Sequence, residues 1–269
     1  MFDQSPITTR IEGRVGILTF DRPQVLNAFN NALIEASNTA MNEFINDDAV
    51  LAIIVHGTGR CFSAGFDMKE SAALGVSGED EWRDVLTKDS DFIMQFWNAP
   101  KPTIAAAHGY CIGGAMELLM ACDLAVASEN TFFGEPEVRF GSGIVAMLAP
   151  YVVGPKQAKE LLLTGNDRIT AQRCYEMGIL NQIVTDGNEM NAAMEFANKI
   201  VGAASRSIRL TKAAINRSYE LAKMREALLE ALEIDIQIEA DEAPERLEFN
   251  RIRREQGLKA ALAWRDGER

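Results

Sequence analysis

The stretch "VLAIIVHGTGRCFSAGFDMKE", residues 50–70, decides how this chain folds. Its first part is a continuous apolar run, broken only at His56. A half-exposed strand alternates apolar and polar residues, whereas an unbroken run predicts a strand buried on both faces, as in a parallel sheet covered by helices. Ser63-Ala64-Gly65 then forms a small-residue turn, followed by Phe66 and the charged cluster Asp67-Met68-Lys69-Glu70. Small residues let the backbone turn; the same turn can expose the backbone N–H of Phe66 at the strand's end.

Upstream, "RVGILTF" (14–20) reads as a strand after a turn at Glu12-Gly13, and "ALIEASNTAMNEFINDD" places Leu33, Ser37, Met41, Phe44 and Ile45 at helical spacing. Downstream, residues 70–80 hold Gly75, Ser77 and Gly78 and read as a mobile loop. "EWRDVLTKDSDFIMQFW" is an amphipathic helix stopped by "NAPKP", "PTIAAAHG" is a strand, "GGAMELLMAC" a helix and "DLAVAS" a strand. Strand and helix alternate, which implies parallel strands joined by crossover helices. From Pro155 onward strand signals nearly vanish, and the tract from Ser207 to Trp264 is helical in pattern. The expected organisation is an α/β core over residues 1–200 and an α-helical region over residues 201–269, with no low-complexity linker and no short internal repeat.

A hydrophobic content of 47% and a charged content of 25% are globular values. The net charge of −12 argues against nucleic acid, which needs a basic face, but leaves room for a small anion held by a few local cations. No stretch approaches the roughly 18 uninterrupted apolar residues of a membrane span. The start, "MFDQSPITTR", lacks a secretory signal's apolar core. Cys61, Cys111, Cys122 and Cys174 lie scattered, which fits reduced, buried thiols in a cytoplasmic protein better than disulfides or a metal site. His56 and His108 are the only histidines. Both follow strand-like runs, with no nucleophile and carboxylate arranged around either, so structural roles are expected for them.

Three segments carry possible chemistry. One is the turn before Phe66. In "HGYCIGGAMELLMACD", Gly113-Gly114 opens a helix directly after a strand, where free N–H groups attract negative charge. In "FFGEPEVRFGSG", Glu135 and Glu137 flank Pro136 among apolar residues. Glu117 has only apolar close neighbours, so either it points to solvent at the helix's edge or it is buried at a cost that a function offsets.

Together with "LTFDRPQVLNAFN" and "LLLTGNDRITAQRCYEMGILNQIV", these segments resemble the crotonase (enoyl-CoA hydratase/isomerase) superfamily over nearly the whole chain. The resemblance implies a spiral of ββα units and C-terminal helices that assemble homotrimers, or hexamers as dimers of trimers. It implies an acyl-CoA thioester substrate, with coenzyme A as part of the substrate and neither separate cofactor nor metal. The N–H groups of Phe66 and Gly114 would form an oxyanion hole for the thioester carbonyl. Ala64 and Gly65 would leave room for the CoA, with Asp67, Met68, Lys69 and Gly113 also on the CoA side. Hydratases of the family carry two catalytic glutamates, matched here by Glu117, to deprotonate the water attacking Cβ, and Glu137, to protonate Cα.

Two departures from the family pattern stand out. Phe66 replaces a commonly small residue, and its ring is expected to narrow the acyl pocket or tunnel mouth. The stretch "VRFGSGIVAMLAPYVVG" after Glu137 is shorter and more apolar than the usual Pro- and Gly-rich loop. Double-bond isomerisation, hydrolysis or lyase chemistry on the same scaffold, and a catalytically silent CoA-binding or scaffold protein, are the alternatives.

Overall fold

The computed structural model describes residues 5–73, 75–241 and 243–267. In chain order the first half runs β1 (Ile7–Glu12), β2 (Val15–Phe20), α1 (Asn31–Asn46), β3 (Ala52–Gly57), α2 (Met68–Ala73), α3 (Gly78–Asn98), β4 (Thr103–Ala107), β5 (Tyr110–Ile112) and α4 (Gly114–Ala121). It continues with β6 (Leu124–Ser128), β7 (Phe132–Gly134), a 3-10 turn (Glu137–Phe140), α5 (Ala149–Val152), α6 (Pro155–Thr164), β8 (Ile169–Thr170), α7 (Ala171–Met177) and β9 (Gln182–Val184). Five helices close the chain: α8 (Glu189–Val201), α9 (Ser205–Leu221), α10 (Met224–Ala240), α11 (Pro244–Gln256) and α12 (Leu258–Arg265).

The main sheet has the order β1-β2-β3-β4-β6-β9, parallel throughout except for the β1–β2 hairpin. The unbroken apolar run at β3 is explained by its position near the middle. Ile53 and Val55 enter the large core formed with α1, α3 and α4, while Ala52 and Ile54 face Ala193 and Ala197 of α8. A smaller sheet, β5-β7-β8, stands beside it, and Ser63 joins β5 through an isolated bridge to Cys111. The chain therefore repeats a strand in the main sheet, a short extended segment in the small one, then a helix. This is the expected ββα spiral, a repeat of structure that leaves no short repeat in sequence.

Some expectations need correction. Residues 70–73 belong to α2 and Gly78 opens α3, so only the middle of 70–80 is a loop; Leu74, in that stretch, lies outside the described residues. Strands do occur beyond Pro155. β8 and β9 are only 2 and 3 residues long, too short to show a period, yet β9 completes the main sheet. β1 was also illegible: five of its six residues are exposed or polar, and it holds its place by pairing with β2.

The C-terminal helices are tied to the core at named points. Lys212 of α9 is buried, with Nζ 2.6 Å from Asp123 Oδ2 and donating to the Lys101 carbonyl at 3.2 Å. α10 packs its Leu232 and Ile236 against Leu86 and Trp82 of α3. α11 and α12 return over the turn at residues 66–68, where Phe249, Ile252 and Ala261 cover Met68 and Phe140. Among the described residues no helix is long and apolar enough to cross a membrane. All four cysteines are free and buried.

Candidate active site

The turn after β3 is held from behind by Asn27. This residue is fully buried in a left-handed conformation (φ 54°), and its Nδ2 donates to the carbonyls of Thr58 (2.8 Å) and Cys61 (2.9 Å). Ser63 Oγ donates to the Asn27 carbonyl (2.9 Å) and accepts from the Gly65 N–H (3.1 Å). Phe29 takes both neighbouring backbone contacts: its N–H donates to the Gly65 carbonyl and its carbonyl accepts from the Asp67 N–H. In such a parallel bridge the N–H of Phe66 points the other way. No acceptor among the described residues takes it.

Gly65 has φ +81°, and a Cβ there would lie 2.6 Å from the Ile112 carbonyl oxygen and 3.1 Å from the Gly114 nitrogen. The turn thus presses directly on the start of α4. Gly114 is the first residue of that helix, so its N–H has no intrahelical partner, and no other acceptor among the described residues takes it. This close glycine contact sets the turn that carries Phe66 beside the Gly114 nitrogen. The Phe66 ring lies over the Gly114 Cα, where a Cβ would meet it at 2.4 Å, and packs edge-on against Phe29 at 5.8 Å. The ring thus packs on the core at the start of α4 while staying partly exposed.

Gly113 adopts φ 59° and ψ −135°, a backbone conformation open in practice only to glycine. Its N–H donates to the Gly134 carbonyl at 2.8 Å, which fixes the end of β7 beside α4. Three residues on, the Glu137 carboxyl folds back so that its Oε1 occupies the place of a Gly113 side chain, 2.3 Å from where a Cβ would sit. Glu117, one turn into α4, is 1% exposed, so the solvent-facing reading fails. Its Oε2 accepts the Ala146 N–H at 2.5 Å, from the loop after Glu137. Glu117 and Glu137 thus share one site around Gly113.

The electrostatics are unusual. Burial, then the charge of Glu137, pushes Glu117 well above the usual carboxylate range, against the opposing effect of the Ala146 N–H. Burial raises Glu137 to about 8, with its own backbone N–H and Glu135 opposing the shift and Asp235 adding to it. Glu135 is fully buried, neither of its oxygens has a hydrogen-bond partner among the described residues, and burial followed by the charge of Glu137 raises it strongly. A third carboxyl in this site went unassigned in the sequence, although "GEPE" displays it. Asn27 was also missed as a holding residue; its only signal was its place within "LNAF".

On the CoA side of the expected site, Asp67 is engaged within the fold. Its Oδ1 accepts the N–H of Lys69 at 3.1 Å at the start of α2, and its Oδ2 pairs with Arg22 at 3.2 Å. The Met68 carbonyl accepts from Arg253 Nη1 at 2.5 Å. Ala64 donates its N–H to the Leu26 carbonyl. Lys69 and Arg60 are exposed, and neither has an ion-pair partner among the described residues. Arg265 is committed to Asp167 (2.7 Å) and Asp266 (2.8 Å). The histidines serve the fold as expected. His56 Nε2 lies 2.9 Å from Thr19 Oγ1, with burial lowering its pKa to about 4, and His108 Nε2 lies 3.1 Å from the Gly59 carbonyl.

A ββα spiral whose strand-end turn and glycine-opened helix adjoin a buried and a half-buried carboxyl is a crotonase-type architecture. The chain belongs to the enoyl-CoA hydratase/isomerase family, whose model matches residues 10–245. A solved enoyl-CoA hydratase/isomerase from Xanthobacter autotrophicus Py2 superposes with a TM-score of 0.96 at 43% identity, covering 99% of both chains. A probable mitochondrial enoyl-CoA hydratase of Dictyostelium discoideum is 36% identical over 80% of this chain and 76% of its own length. A short-chain-enoyl-CoA hydratase of Clostridium acetobutylicum is 35% identical over 78% of this chain and 80% of its own.

Proposed function

We propose that the protein hydrates a 2-enoyl-CoA to the 3-hydroxyacyl-CoA. The observation that carries this reading is the pair of raised carboxyls, buried Glu117 and half-buried Glu137, gathered at Gly113 next to two N–H groups without an acceptor among the described residues. Two such carboxyls do not both ionise readily, so near neutral pH the pair holds a proton. Hydration needs that state, because one atom gives up a proton while another receives one. Glu117, whose charged form is supported by the Ala146 N–H, takes a proton from water as the oxygen bonds to Cβ. The π electrons move to the thioester oxygen, where the N–H groups of Phe66 and Gly114 stabilise the enolate. Glu137 then gives its proton to Cα. The relatives named as hydratases support this reading, which uses no cofactor beyond the substrate's own CoA.

An isomerase would use the same N–H pair but needs only one carboxyl. The deciding experiment follows conjugated enoyl-thioester absorbance over a panel of enoyl-CoA substrates. A hydratase consumes that absorbance, an isomerase acting on 3-enoyl-CoA creates it, and a silent binder changes nothing. No change with any substrate would overturn the reading.

The CoA phosphates need local cations inside an acidic protein, and Lys69 at the start of α2 is the leading one, with Arg60 on the same turn. CoA affinity is expected to fall with rising ionic strength, and Lys69→Ala to weaken it several-fold at low salt and flatten the salt response. Isothermal titration across a salt series checks this; equal affinity and equal salt slopes for the two proteins would remove Lys69 from the binding site.

A homotrimer, alone or paired into a hexamer, is the proposed assembly. The apolar residues of α9 and α10 divide in the fold: Met224 and Leu232 enter this chain's own core, whereas Leu221 is 70% and Leu229 58% exposed. Leu210, Ile215 and Ile234 add to the uncovered apolar surface on α9 and α10. A face of this kind marks an interaction site. Light scattering at micromolar concentration is expected to give a multiple of three chains, and a stable monomer would refute it.

A further inference from the structure

Asp235 of α10 is a carboxylic acid without a partner. It is 2% exposed, and neither of its oxygens has a hydrogen-bond partner among the described residues. Its surroundings make this conspicuous. Arg246, the nearby cation, is spent on Glu239, one turn along the helix, and lies over the Trp82 ring at 5.0 Å. The N–H of Gly143 also goes to Glu239, at 3.4 Å. Arg246 therefore serves the neighbouring acid, and the Gly143 N–H lies near both acids but meets hydrogen-bond geometry only with Glu239. Burial raises Asp235 to about 7; Glu239 and Asp89 of α3 add to the shift, and Arg246 and the nearby Gly143 N–H oppose it.

The backbone makes room for this carboxyl as it does for Glu137. A Cβ on Gly143 would lie 2.0 Å from Asp235 Oδ1, just as one on Gly113 would collide with Glu137 Oε1. Gly143 belongs to the loop after Glu137, and three residues later that loop gives its Ala146 N–H to Glu117. One short loop thus touches both carboxyls. On the same stretch of α10, Leu232 and Ile236 join Leu86 and Trp82 of α3 and Val145 of the loop in an apolar cluster, while Glu239 and Asp89 are the other acids within reach of Asp235. Leucine or methionine would suit such surroundings better than an unpaired acid, unless the acid meets something the free protein does not contain.

We propose that Asp235 is a specificity residue that hydrogen-bonds a hydroxyl on the substrate's acyl group beyond the β-carbon, so that the preferred substrate is an enoyl-CoA that is apolar except for that hydroxyl. The inference rests on the enoyl-CoA reading above and names its substrate class. A carboxyl that stays unpaired in the free enzyme discriminates strongly, because an analogue lacking the hydroxyl leaves it buried and unsatisfied.

The test measures kcat/KM for matched pairs of thioesters: hexenoyl-CoA, octenoyl-CoA and phenylpropenoyl-CoA, each with and without a hydroxyl at the end distant from the thioester. The wild-type protein is expected to prefer the hydroxylated member of at least one pair by about tenfold or more. Asp235→Leu is expected to bring that ratio close to one, and Asp235→Asn, which keeps an acceptor oxygen, to retain most of it. Absence of a preference in every pair, or a preference that survives Asp235→Leu, overturns the proposal. The wild-type ratio alone decides the matter if Asp235→Leu does not fold. Turnover of the unsubstituted thioesters without any hydroxyl preference would sink only this inference, whereas no turnover of any thioester would sink the hydration reading beneath it.

Discussion

Glu137→Gln is expected to lower kcat by about a hundredfold or more while acyl-CoA affinity stays within a few-fold of wild type. The proposed general acid is lost, and proton transfer by a placed side chain contributes about that much. The proposed oxyanion donors belong to the backbone at Phe66 and Gly114 and are untouched. Glutamine has the shape of glutamate, so its side chain can keep the place over Gly113 that Glu137 Oε1 now fills. Single-turnover kinetics with a CoA-binding titration check both halves; more than about a tenth of wild-type turnover would remove Glu137 from the acid role. The same variant carries a stability signature. Burial raises the Glu137 carboxyl from its ordinary 4.5 to about 8, so between those pH values the folded chain keeps a proton that the unfolded chain has released. Wild-type stability from this group is therefore present at low pH and lost as pH rises through that window. Glutamine cannot ionise. The gain in Tm from Glu137→Gln should accordingly grow from pH 5 to pH 8, independently of any assay of turnover.

The parts of this molecule legible in the sequence are those fixed by local pattern. The run at β3 reads correctly because a strand covered on both faces must be apolar throughout, and α3 because its buried Leu86, Phe92, Ile93 and Phe96 lie on one face. Gly113-Gly114 shows that a backbone approaches something closely, and the structure identifies it as the Glu137 carboxyl and the Phe66 ring. What escapes is whatever depends on distant pairing. β9 is three residues of ordinary composition, made a strand only by β6 beside it. Asn27 looks like any loop asparagine until its amide is seen holding the carbonyls of residues 58 and 61. Asp235 sits in "LEIDIQIEA", where an acid would pass for the wet side of a helix. Only the packing of α10 on α3 and on the loop at Gly143 turns it inward. The Phe66 ring teaches the converse: a residue unusual in type kept its backbone position, because the expected role lies in an N–H that any residue but proline supplies.

That backbone role is open to a second large effect. Gly65→Ala is expected to reduce kcat/KM by about a hundredfold or more, the loss typical of one oxyanion donor. The new Cβ would stand 2.6 Å from the Ile112 carbonyl oxygen and 3.1 Å from the Gly114 nitrogen. Both are main-chain atoms, so no rotamer change relieves the contact. The turn must move away from α4, and the N–H groups of Phe66 and Gly114 separate. Alanine at φ +81° adds the ordinary left-handed penalty of about 1–2 kcal/mol, which by itself would only lower stability. Gly13→Ala isolates that part. Gly13 has φ +60° in the β1–β2 hairpin, with nothing within 4 Å of a Cβ, so it carries the same backbone cost away from the site. The comparison is therefore between two variants of similar Tm, one with near-normal kcat/KM and one without. If Gly65→Ala kept wild-type kcat/KM, or if Gly13→Ala lost as much, the contact between the turn and α4 would not be what holds the two N–H groups on the thioester oxygen.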